Sequence, residues 1–529
     1  MKKTITTLAL VFFCILINAQ TASLKWGPAY KDKNLNYYNN YNNYFGHNSD
    51  GYYRTTTVKI GGFFGHKEEL VQKFNNKHEI TSSHVVLYKL GTEKLKAINS
   101  QANVFVNGKL YYIAYKYNGS SKTAKLYRKT FSEDLSEVSE WEEFDNFINV
   151  DDNDVKDIKL VQSDDKNTFL FYVKNASNIK LKNEAITCMM FDNNFNKLAS
   201  KRIDLKGKDK YDIRNTSVTN DGQFVIMIYN DLTFSEKTRD NAKYKYILYL
   251  YDGKTDSLKD YDIALEKHYI SEAKYFIDNE NKKIIVSAFY TSDKVTNSIT
   301  FESMGSYVGY LYKKIDINTK SMEIDKVKKF DANIIYKHPE NLEAGSEAAI
   351  PNNIEIRNFS KGENGNVYML CEGYSSYTET RSFSNGSSTS FYVYFYYGIK
   401  VMNFDKDGNM IKSFTIDKQQ LKKGNQLTSF LWGMVNNKLI FVYFDSEKNY
   451  GKKGYIGEQM SNYGDAIVGA VTCDLDGNIT NRKVIYRMNK SDKYSPYMDV
   501  KNSIKVNGNK YFIPCIINNN YQYGFLTFE

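Results

Sequence analysis

Short runs of hydrophobic residues recur along most of this chain, separated by turn-forming residues. Thr168–Val173, Gln223–Tyr229 and Lys438–Phe444 are rich in β-branched and aromatic side chains. Runs of this length and composition are typical of strands rather than helices. Each is followed by a loop, by a second hydrophobic run that ends near an aspartate, and by a tight turn into a further strand. The pattern predicts a repeated all-β unit.

Five copies of this unit carry an aspartate at the turn, and a sixth, more divergent copy has Ser132 there. The five turn residues are Asp192, Asp252, Asp316, Asp405 and Asp474. Aspartate and asparagine bond to the neighbouring backbone and glycine accepts a positive φ, so these turns indicate hairpins. A short additional strand precedes several units. Consecutive units of about four antiparallel strands are the signature of a β-propeller, which we predict for residues 84–529.

The two ends of the repeated region predict how the propeller closes. Ser503–Glu529 supplies strands for a last blade, and His84–Asn99 resembles the closing half of a unit that has no opening half. We therefore expect an N-terminal strand to complete the last blade. This closure predicts a propeller of about seven four-stranded blades, with six and eight as open alternatives.

Residues 20–83 precede the repeats and are predicted to form an N-terminal extension. Tyr37–Tyr53 is a low-complexity tract of Tyr, Asn and Gly. In Lys67–Lys77, the side chains of Leu70, Val71 and Phe74 would share one face of a helix. We expect a single short helix there.

Residues 1–19 read as a signal peptide. Lys2 and Lys3 precede an unbroken apolar run from Leu8 to Ile17, and Ala19 offers a small residue for cleavage. The run is shorter than the roughly 20 residues that span a bilayer. We expect an exported protein, periplasmic or extracellular, that does not span the membrane; a buried core helix and a lipid anchor at Cys14 are the alternatives.

The charge and cysteine patterns narrow the classes of partner and chemistry. The formal charge of +10 comes mainly from lysine, whereas base recognition leans on arginine, so we expect no nucleic-acid partner. We expect a monomer. Cys188, Cys371, Cys473 and Cys515 lie in hydrophobic runs without a CxxC motif, which favours buried free thiols over a Cys473–Cys515 bridge. HExxH and GxSxG motifs are absent from the sequence.

Two hairpins partly match a calcium-binding loop. DKDGN places Asp405, Asp407 and Asn409 at alternate positions, and DLDGN at Asp474–Asn478 does the same. Position twelve, where such a loop needs a bidentate Glu, holds Ile416 in the first. A turn-forming role is favoured, no cofactor is expected, and calcium is the alternative.

Two aromatic-rich insertions are the candidate binding surface. Both lie between the two middle strands of their predicted blades, around Ser375–Tyr392 and Tyr450–Gly464. Aromatic rings interleaved with small polar residues form adaptable binding loops, although packing of these rings onto their own blade is the alternative. The candidate binding residues are Tyr374, Tyr377, Phe383, Phe391, Tyr392, Tyr450 and Tyr455.

The repeated aspartate turns resemble those of secreted bacterial β-propellers. The segment SVTNDGQFVIMIYND is similar to the opening of the TolB-type propeller repeats of the periplasm. Residues 84–529 contain no WD dipeptide, no kelch double glycine and no sialidase box. The resemblance implies the fold and brings no catalytic residue with it.

These observations predict a non-enzymatic exported propeller that acts as a binding or scaffold module. Its ligand would be a protein or a cell-surface glycan. The alternative is a carbohydrate-active propeller enzyme whose carboxylates gather at the central channel, and the sequence selects no catalytic residue for it.

Overall fold

The structure is a computed structural model, and it describes most of the chain after residue 20. The described residues are 21–31, 43–60, 66–98, 103–175, 184–205, 211–230, 245–265, 268, 270–271, 273–291, 306–336, 348–351, 353–382, 387–423, 429–451, 455–460, 466–488, 498–500, 502–517 and 520–529. The predicted signal peptide lies outside them. The chain forms two compact units: Asn34–Lys328 is the larger, and Met1–Lys33 with Lys329–Glu529 is the smaller.

Two strands of the smaller unit come first along the chain, and the larger unit follows. The first two strands are β1 (Ala22–Trp26) and β2 (Tyr30–Lys31). The strands of the larger unit are β3 (Asn43–His47), β4 (Gly51–Ile60), β5 (His66–Asn75), β6 (Ile80–Val86), β7 (Lys89–Leu90), β8 (Glu93–Lys94), β9 (Lys96–Ala97), β10 (Val104–Val106), β11 (Lys109–Asn118), β12 (Thr123–Ser132), β13 (Glu142–Ile148), β14 (Lys159–Gln162), β15 (Thr168–Asn175), β16 (Ala185–Asp192), β17 (Lys197–Asp204), β18 (Tyr211–Val218), β19 (Gln223–Asn230), β20 (Lys245–Asp252), β21 (Ser257–Asp262), β22 (Lys274–Asp278), β23 (Lys283–Thr291), β24 (Tyr307–Asp316) and β25 (Met322–Lys329). A one-turn helix, α1 (Asp152–Val155), precedes β14.

These strands form five antiparallel sheets in which neighbours in sequence are neighbours in space. The sheets are β3–β6, β10–β13 with β9 added to β11, β14–β17, β18–β21 and β22–β25; β7 and β8 form a separate pair. Each sheet is a simple up-and-down meander, because antiparallel strands can be joined by short hairpins.

The smaller unit contains three more sheets of the same kind. Its remaining elements are α2 (Ala332–Ile335), β26 (Ile354–Lys361), β27 (Val367–Ser382), β28 (Ser388–Phe404), β29 (Met410–Lys423), β30 (Phe430–Val435), β31 (Lys438–Ser446), a 3-10 helix (Glu447–Tyr450), β32 (Ala466–Cys473), β33 (Ile479–Arg487), β34 (Ile504–Asn507), β35 (Lys510–Ile517) and β36 (Asn520–Phe528). The sheets are β26–β29, β30–β33, and β34–β36 completed by β1, with β2 also on β36.

The predicted all-β fold of the propeller class is therefore confirmed by its repeated four-stranded sheets. The described residues contain five such sheets in one unit and three in the other. Eight was among the alternatives to the expected seven blades, and the additional sheet comes from residues predicted to lie outside the propeller. No helix in the described ranges is long and apolar enough to cross a membrane.

The helix predicted for Lys67–Lys77 is wrong: these residues include most of strand β5. A β-bulge at Lys73/Phe74 shifts the register between β5 and β6. The extra residue is Thr81 of β6, and β5 itself pairs with β4 without a register shift. Val71 and Phe74 are three positions apart in β5 and therefore lie on opposite faces, and both are fully buried. Burial on both faces of the strand thus produces the spacing that indicated a helix.

The closing strand is also different from the one predicted. β1 pairs with β36 from Ala22↔Phe528 to Trp26↔Gly524. His84–Asn99 instead begins in β6 and continues into β7, β8 and β9. An N-terminal strand does complete the last sheet, as expected. That strand is β1, which has five residues and is too short to be recognised in the sequence.

The predicted turn aspartates form one recurring hairpin. Asp405 Oδ1 accepts hydrogen bonds from the backbone N–H groups of Asp407 (2.9 Å) and Asn409 (2.8 Å), and its Oδ2 accepts from Asn409 Nδ2 (2.9 Å). Asp474 makes the same three bonds within its own turn. Gly408 has a φ of 77°, which explains the glycine at this place. The carboxylates close the turns through bonds inside the loop.

Neighbouring sheets of the smaller unit pack face to face, and β31 shows how. Its residues Leu439, Phe441 and Tyr443 belong to the hydrophobic core shared with the β26–β29 sheet. Ile440 and Val442 belong to the core shared with the last sheet. Because both faces are covered, the strand is a continuous hydrophobic run. All four cysteines named above are free and buried.

Candidate functional site

The longest hairpin of the described chain is formed by β27 and β28. These strands have 16 and 17 residues, whereas β26 pairs with β27 only as far as Gly373. β29 accompanies β28 up to the pair Val393↔Lys423. The part of the hairpin beyond this pair is therefore a two-stranded projection from the sheet.

Four tyrosines share one face of this hairpin. Tyr374 is opposite Tyr396, Ser376 is opposite Tyr394, and Thr378 is opposite Tyr392, and directly opposed residues point to the same side. The ring centres of Tyr392 and Tyr394 are 6.5 Å apart, those of Tyr394 and Tyr374 6.2 Å, and those of Tyr374 and Tyr396 5.1 Å. We call Tyr374, Tyr392, Tyr394 and Tyr396 the tyrosine row.

The tyrosine row runs from solvent into the protein. Tyr392 is 65% exposed, Tyr394 and Tyr374 are half-buried, and Tyr396 is 7% exposed. Beside Tyr392 the polar residues on this face of the hairpin are Thr378, Thr380 and Ser390, and the hydroxyls of Thr380 and Ser390 form a hydrogen bond of 3.0 Å. The outer part of this face therefore combines the Tyr392 ring with hydroxyl groups, while Lys422 of β29 lies opposite Tyr394 in the register.

The sequence-predicted binding residues of this insertion do not all belong to the row. Tyr377 is 53% exposed but lies three positions from Tyr374 on the same strand, which places it on the opposite face. Phe391 is opposite Glu379 in the register of β27 and β28, not opposite a residue of the row. Phe383 lies outside the described residues. Of the predicted set, the structure brings together Tyr374 and Tyr392.

A buried ionic cluster lies at the inner end of the row. Glu372 is fully buried; its Oε2 accepts from Arg357 Nε (2.8 Å), and its Oε1 accepts from Lys418 Nζ. Lys418 also donates to Gln420 Oε1 (2.9 Å). The guanidinium of Arg357 is 5.3 Å from the ring centre of Tyr396, and the ammonium of Lys418 is 5.7 Å from it. The cluster thus anchors the innermost ring from two sides.

Burial lowers the pKa of Lys418, and the negative charge of Glu372 opposes that shift. A buried carboxylate with both oxygens bonded to cationic groups is satisfied, so the cluster has a positioning role. It holds β26, β27 and β29 in a fixed geometry below the tyrosines.

The second aromatic insertion packs against the β26–β29 sheet, which carries the tyrosine row. Met460 N donates to Gln419 O (3.1 Å), and Leu421 N donates to Met460 O (2.9 Å). Gln420 Nε2 in turn donates to Phe444 O (2.8 Å) on β31. The segment that follows the 3-10 helix therefore adds to the edge of β29.

Tyr450 and Tyr455 of this second insertion surround a buried aspartate. Asp445 lies on the same face of β31 as Phe441 and Tyr443, and it is fully buried. Its Oδ1 accepts hydrogen bonds from Asn449 Nδ2 (2.6 Å) and Ser446 N (2.8 Å). The Tyr450 hydroxyl approaches the carboxyl without a hydrogen bond of good geometry, and Asp445 Oδ2 has no partner. Burial raises the pKa of Asp445 to about 6.

The two tyrosines are held in place rather than presented to solvent. A Cβ on Gly469 would lie 1.9 Å from the Tyr450 hydroxyl, so the glycine leaves room for that ring. The Arg482 guanidinium is 4.4 Å from the ring centre of Tyr455. Burial raises the pKa of Tyr455 to about 12. Both rings are half-buried with buried hydroxyls, and the role of Tyr450 and Tyr455 in binding stays a prediction.

The sequence contained signals for the residues that we did not select. Tyr394 and Tyr396 follow Tyr392 at intervals of two, which is the period of one face of a strand. Glu372, Lys418 and Asp445 each interrupt or end a hydrophobic strand, and charges at such positions are paired or shifted in pKa when buried. Among the described residues, no group of three or more His, Cys, Asp or Glu is arranged to hold a metal ion.

No known family model matches this chain, and no curated protein matches it. Among solved structures, an ulvan lyase of a polysaccharide lyase family overlaps 81% of this chain and 92% of its own at 8% identity and a TM-score of 0.33. A quinohemoprotein alcohol dehydrogenase from Comamonas testosteroni overlaps 95% and 76% at 9% identity and a TM-score of 0.40. The β-propeller domain of the trilobed protease from Pyrococcus furiosus overlaps 75% and 97% at 12% identity and a TM-score of 0.22. These overlaps are too low to support any shared activity.

Proposed function

We propose that this protein is an exported binding module whose tyrosine row holds a neutral glycan chain. The observation that carries the proposal is the row itself: four rings follow one another along one face, from a largely exposed Tyr392 to a buried Tyr396. Tyrosine provides a rigid amphipathic contact surface at low entropic cost. The C–H faces of sugar rings pack on such aromatic faces.

The surroundings of the row favour a neutral, hydroxyl-rich ligand. On its outer part the neighbours are serine and threonine, while Glu379 and Arg381 of the same hairpin lie on the opposite face. Hydroxyl groups can donate to and accept from sugar hydroxyls. Lys422 lies opposite Tyr394 in the register of β29, so the uncharged part of the face is the outer part around Tyr392. The outermost ring, Tyr392, lies on the two-stranded projection, which is narrower than the broad surface that a stable protein interface requires.

The ionic cluster supports this role by keeping the inner ring fixed. Arg357 and Lys418 both contact Tyr396, and the Glu372 carboxylate fixes the two cations. A binding surface that is held rigid before the ligand arrives loses less conformational entropy on binding. Export is part of the same proposal, and the lysines and apolar run of residues 1–19 support it.

The test compares two exposed tyrosines of the same hairpin. Purified protein beginning at Thr21 is titrated with linear neutral polysaccharides, namely β-glucan, mannan and xylan, by affinity electrophoresis and calorimetry. Tyr392→Ala removes the outer ring of the row, and Tyr377→Ala is the matched control on the opposite face. Loss of a stacking platform worth about 1.4 kcal/mol weakens binding roughly ten-fold. We expect this loss for Tyr392→Ala alone.

Other outcomes would redirect the proposal. Equal effects of the two substitutions, or no binding to any of the three polysaccharides, would refute it. Capture of a peptide by the open edge of the hairpin would replace the glycan by a protein partner. Release of reducing sugar ends that stops in Asp445→Asn would favour the carbohydrate-active enzyme over a binding module.

A further inference from the structure

The sheet that carries the tyrosine row has a cavity on its other face. The volume is about 220 Å³, and its lining is mainly apolar and includes Ile335, Ile350, Ile354 and Tyr397. Pro351 lies at its exposed rim. An engineered apolar cavity of about 150 Å³ binds benzene, so this one is large enough for a small organic molecule.

Lys400 is the cationic side chain of this cavity. It lies on β28 between Ile399 and Val401, whose side chains point into the core on the opposite face, so Lys400 points to the cavity side. Its Nζ donates one hydrogen bond, of 3.2 Å, to the carbonyl of Ile335. No carboxylate of the described chain forms an ion pair with it. Burial lowers the pKa of Lys400.

The neighbours of Lys400 keep its surroundings apolar and accessible. Cys371 is its partner across β27, and Thr415 is its exposed partner across β29. Gly373 and Gly398 form the adjoining part of the wall. An amine that is desolvated, uncompensated by a carboxylate and reachable from a cavity has the properties of a nucleophilic lysine.

We propose that Lys400 and this cavity form a covalent binding site for a small apolar aldehyde. The unprotonated Nζ attacks the carbonyl carbon, a C–N bond forms, and the carbonyl oxygen takes up a proton to give a carbinolamine. The oxygen then leaves as water together with the two hydrogens of the amine, and a C=N bond remains. The reaction is a condensation without net oxidation or reduction. The hydrophobic wall holds the carbon chain of the aldehyde.

The test uses hexanal as the probe. The protein is incubated with limiting hexanal and sodium cyanoborohydride at neutral pH, which reduces the imine to a stable N-hexyl group, and the modified lysines are identified by peptide mass spectrometry. Lys505 is the internal comparison, because burial lowers its pKa too while it lies over the Trp432 ring and not on the cavity. We expect Lys400 to be modified several-fold faster than Lys505.

Two variants separate the cavity from the amine. Lys400→Arg retains a donor for the Ile335 carbonyl and should remove the label from that peptide. Thr415→Leu narrows the cavity beside the lysine, and should slow modification of Lys400 by hexanal while leaving its methylation by formaldehyde, which needs no cavity, unchanged. The proposal is overturned if hexanal modifies Lys400 no faster than Lys505. It is also overturned if Thr415→Leu leaves the hexanal rate unchanged.

Discussion

Replacing Asp445 by asparagine should stabilise the protein above pH 6. The asparagine side chain would retain an oxygen that accepts the hydrogen bonds now made by Asn449 Nδ2 and Ser446 N. The substitution removes only the ability to ionise. The unpartnered Oδ2 becomes an amide group next to the Tyr450 hydroxyl, which can accept a hydrogen bond from it.

The magnitude follows from the pKa of Asp445, which burial raises from 3.8 to about 6. A raised pKa means that the folded protein binds the proton more tightly than the unfolded chain does. The resulting stabilisation is fully present below about pH 4 and is lost as the pH rises through about 6. At about 1.4 kcal/mol per pKa unit, a shift of this size costs the wild type about 3 kcal/mol at neutral pH. The Asp445→Asn variant does not lose this free energy at neutral pH, because asparagine does not ionise.

The measurement is urea unfolding followed by tryptophan fluorescence at several pH values between 4 and 8. Trp432 lies in the core that Phe441 and Tyr443 share with the neighbouring sheet, so it reports on this region. The gain in free energy of unfolding should be near zero at pH 4 and about 3 kcal/mol at pH 8. Asp417→Asn, which removes an exposed charge nearby, is the control. A gain of equal size at both pH values would refute the reasoning.

Three further predictions concern stability. Lys418→Met leaves the buried Glu372 with a single cationic partner, so unfolding by urea should show a loss of about 3–5 kcal/mol. Gly469→Ala places a methyl group against the Tyr450 hydroxyl and should lower the free energy of unfolding by about 1–3 kcal/mol in the same assay. EDTA should leave the melting temperature unchanged in calorimetry, because the carboxylates of Asp405 and Asp474, the first aspartates of the two DxDGN hairpins, accept hydrogen bonds inside their own turns. A decrease that calcium reverses would contradict this.

Most of the fold could be predicted from the sequence because the repeated unit has strong local signals. The hydrophobic strands and aspartate turns from Thr168 to Asp474 lie where the pattern indicated, since strand period and turn chemistry act over a few residues. The β3–β6 sheet was missed because Val71 and Phe74 are buried on opposite faces of β5, which gives the hydrophobic spacing of a helix. The pairing of β1 with β36 was missed because long-range pairing leaves no local mark in a five-residue segment.

The candidate site could be predicted only in part. The aromatic insertion around Ser375–Tyr392 was recognised by composition, but membership of one face depends on the register between β27 and β28, which selects Tyr392 and excludes Tyr377. The roles of Tyr450 and Tyr455 depend on burial around Asp445, which is a tertiary property. Composition located the segment, whereas register and packing decided which rings remain accessible.

The pairing of β1 with β36 has a consequence for the time course of folding. Ser23 hydrogen-bonds to Glu529, and these residues are 506 positions apart. β1 is synthesised about 500 residues before its hydrogen-bonding partner β36 and cannot pair until β36 is available. The loop-closure penalty grows slowly with length, by about 0.6 kcal/mol for each doubling, so the delay is kinetic rather than thermodynamic. A pair of fluorophores beside residues 21 and 529, whose backbones bond at 2.8 and 2.9 Å, would therefore report when this sheet closes.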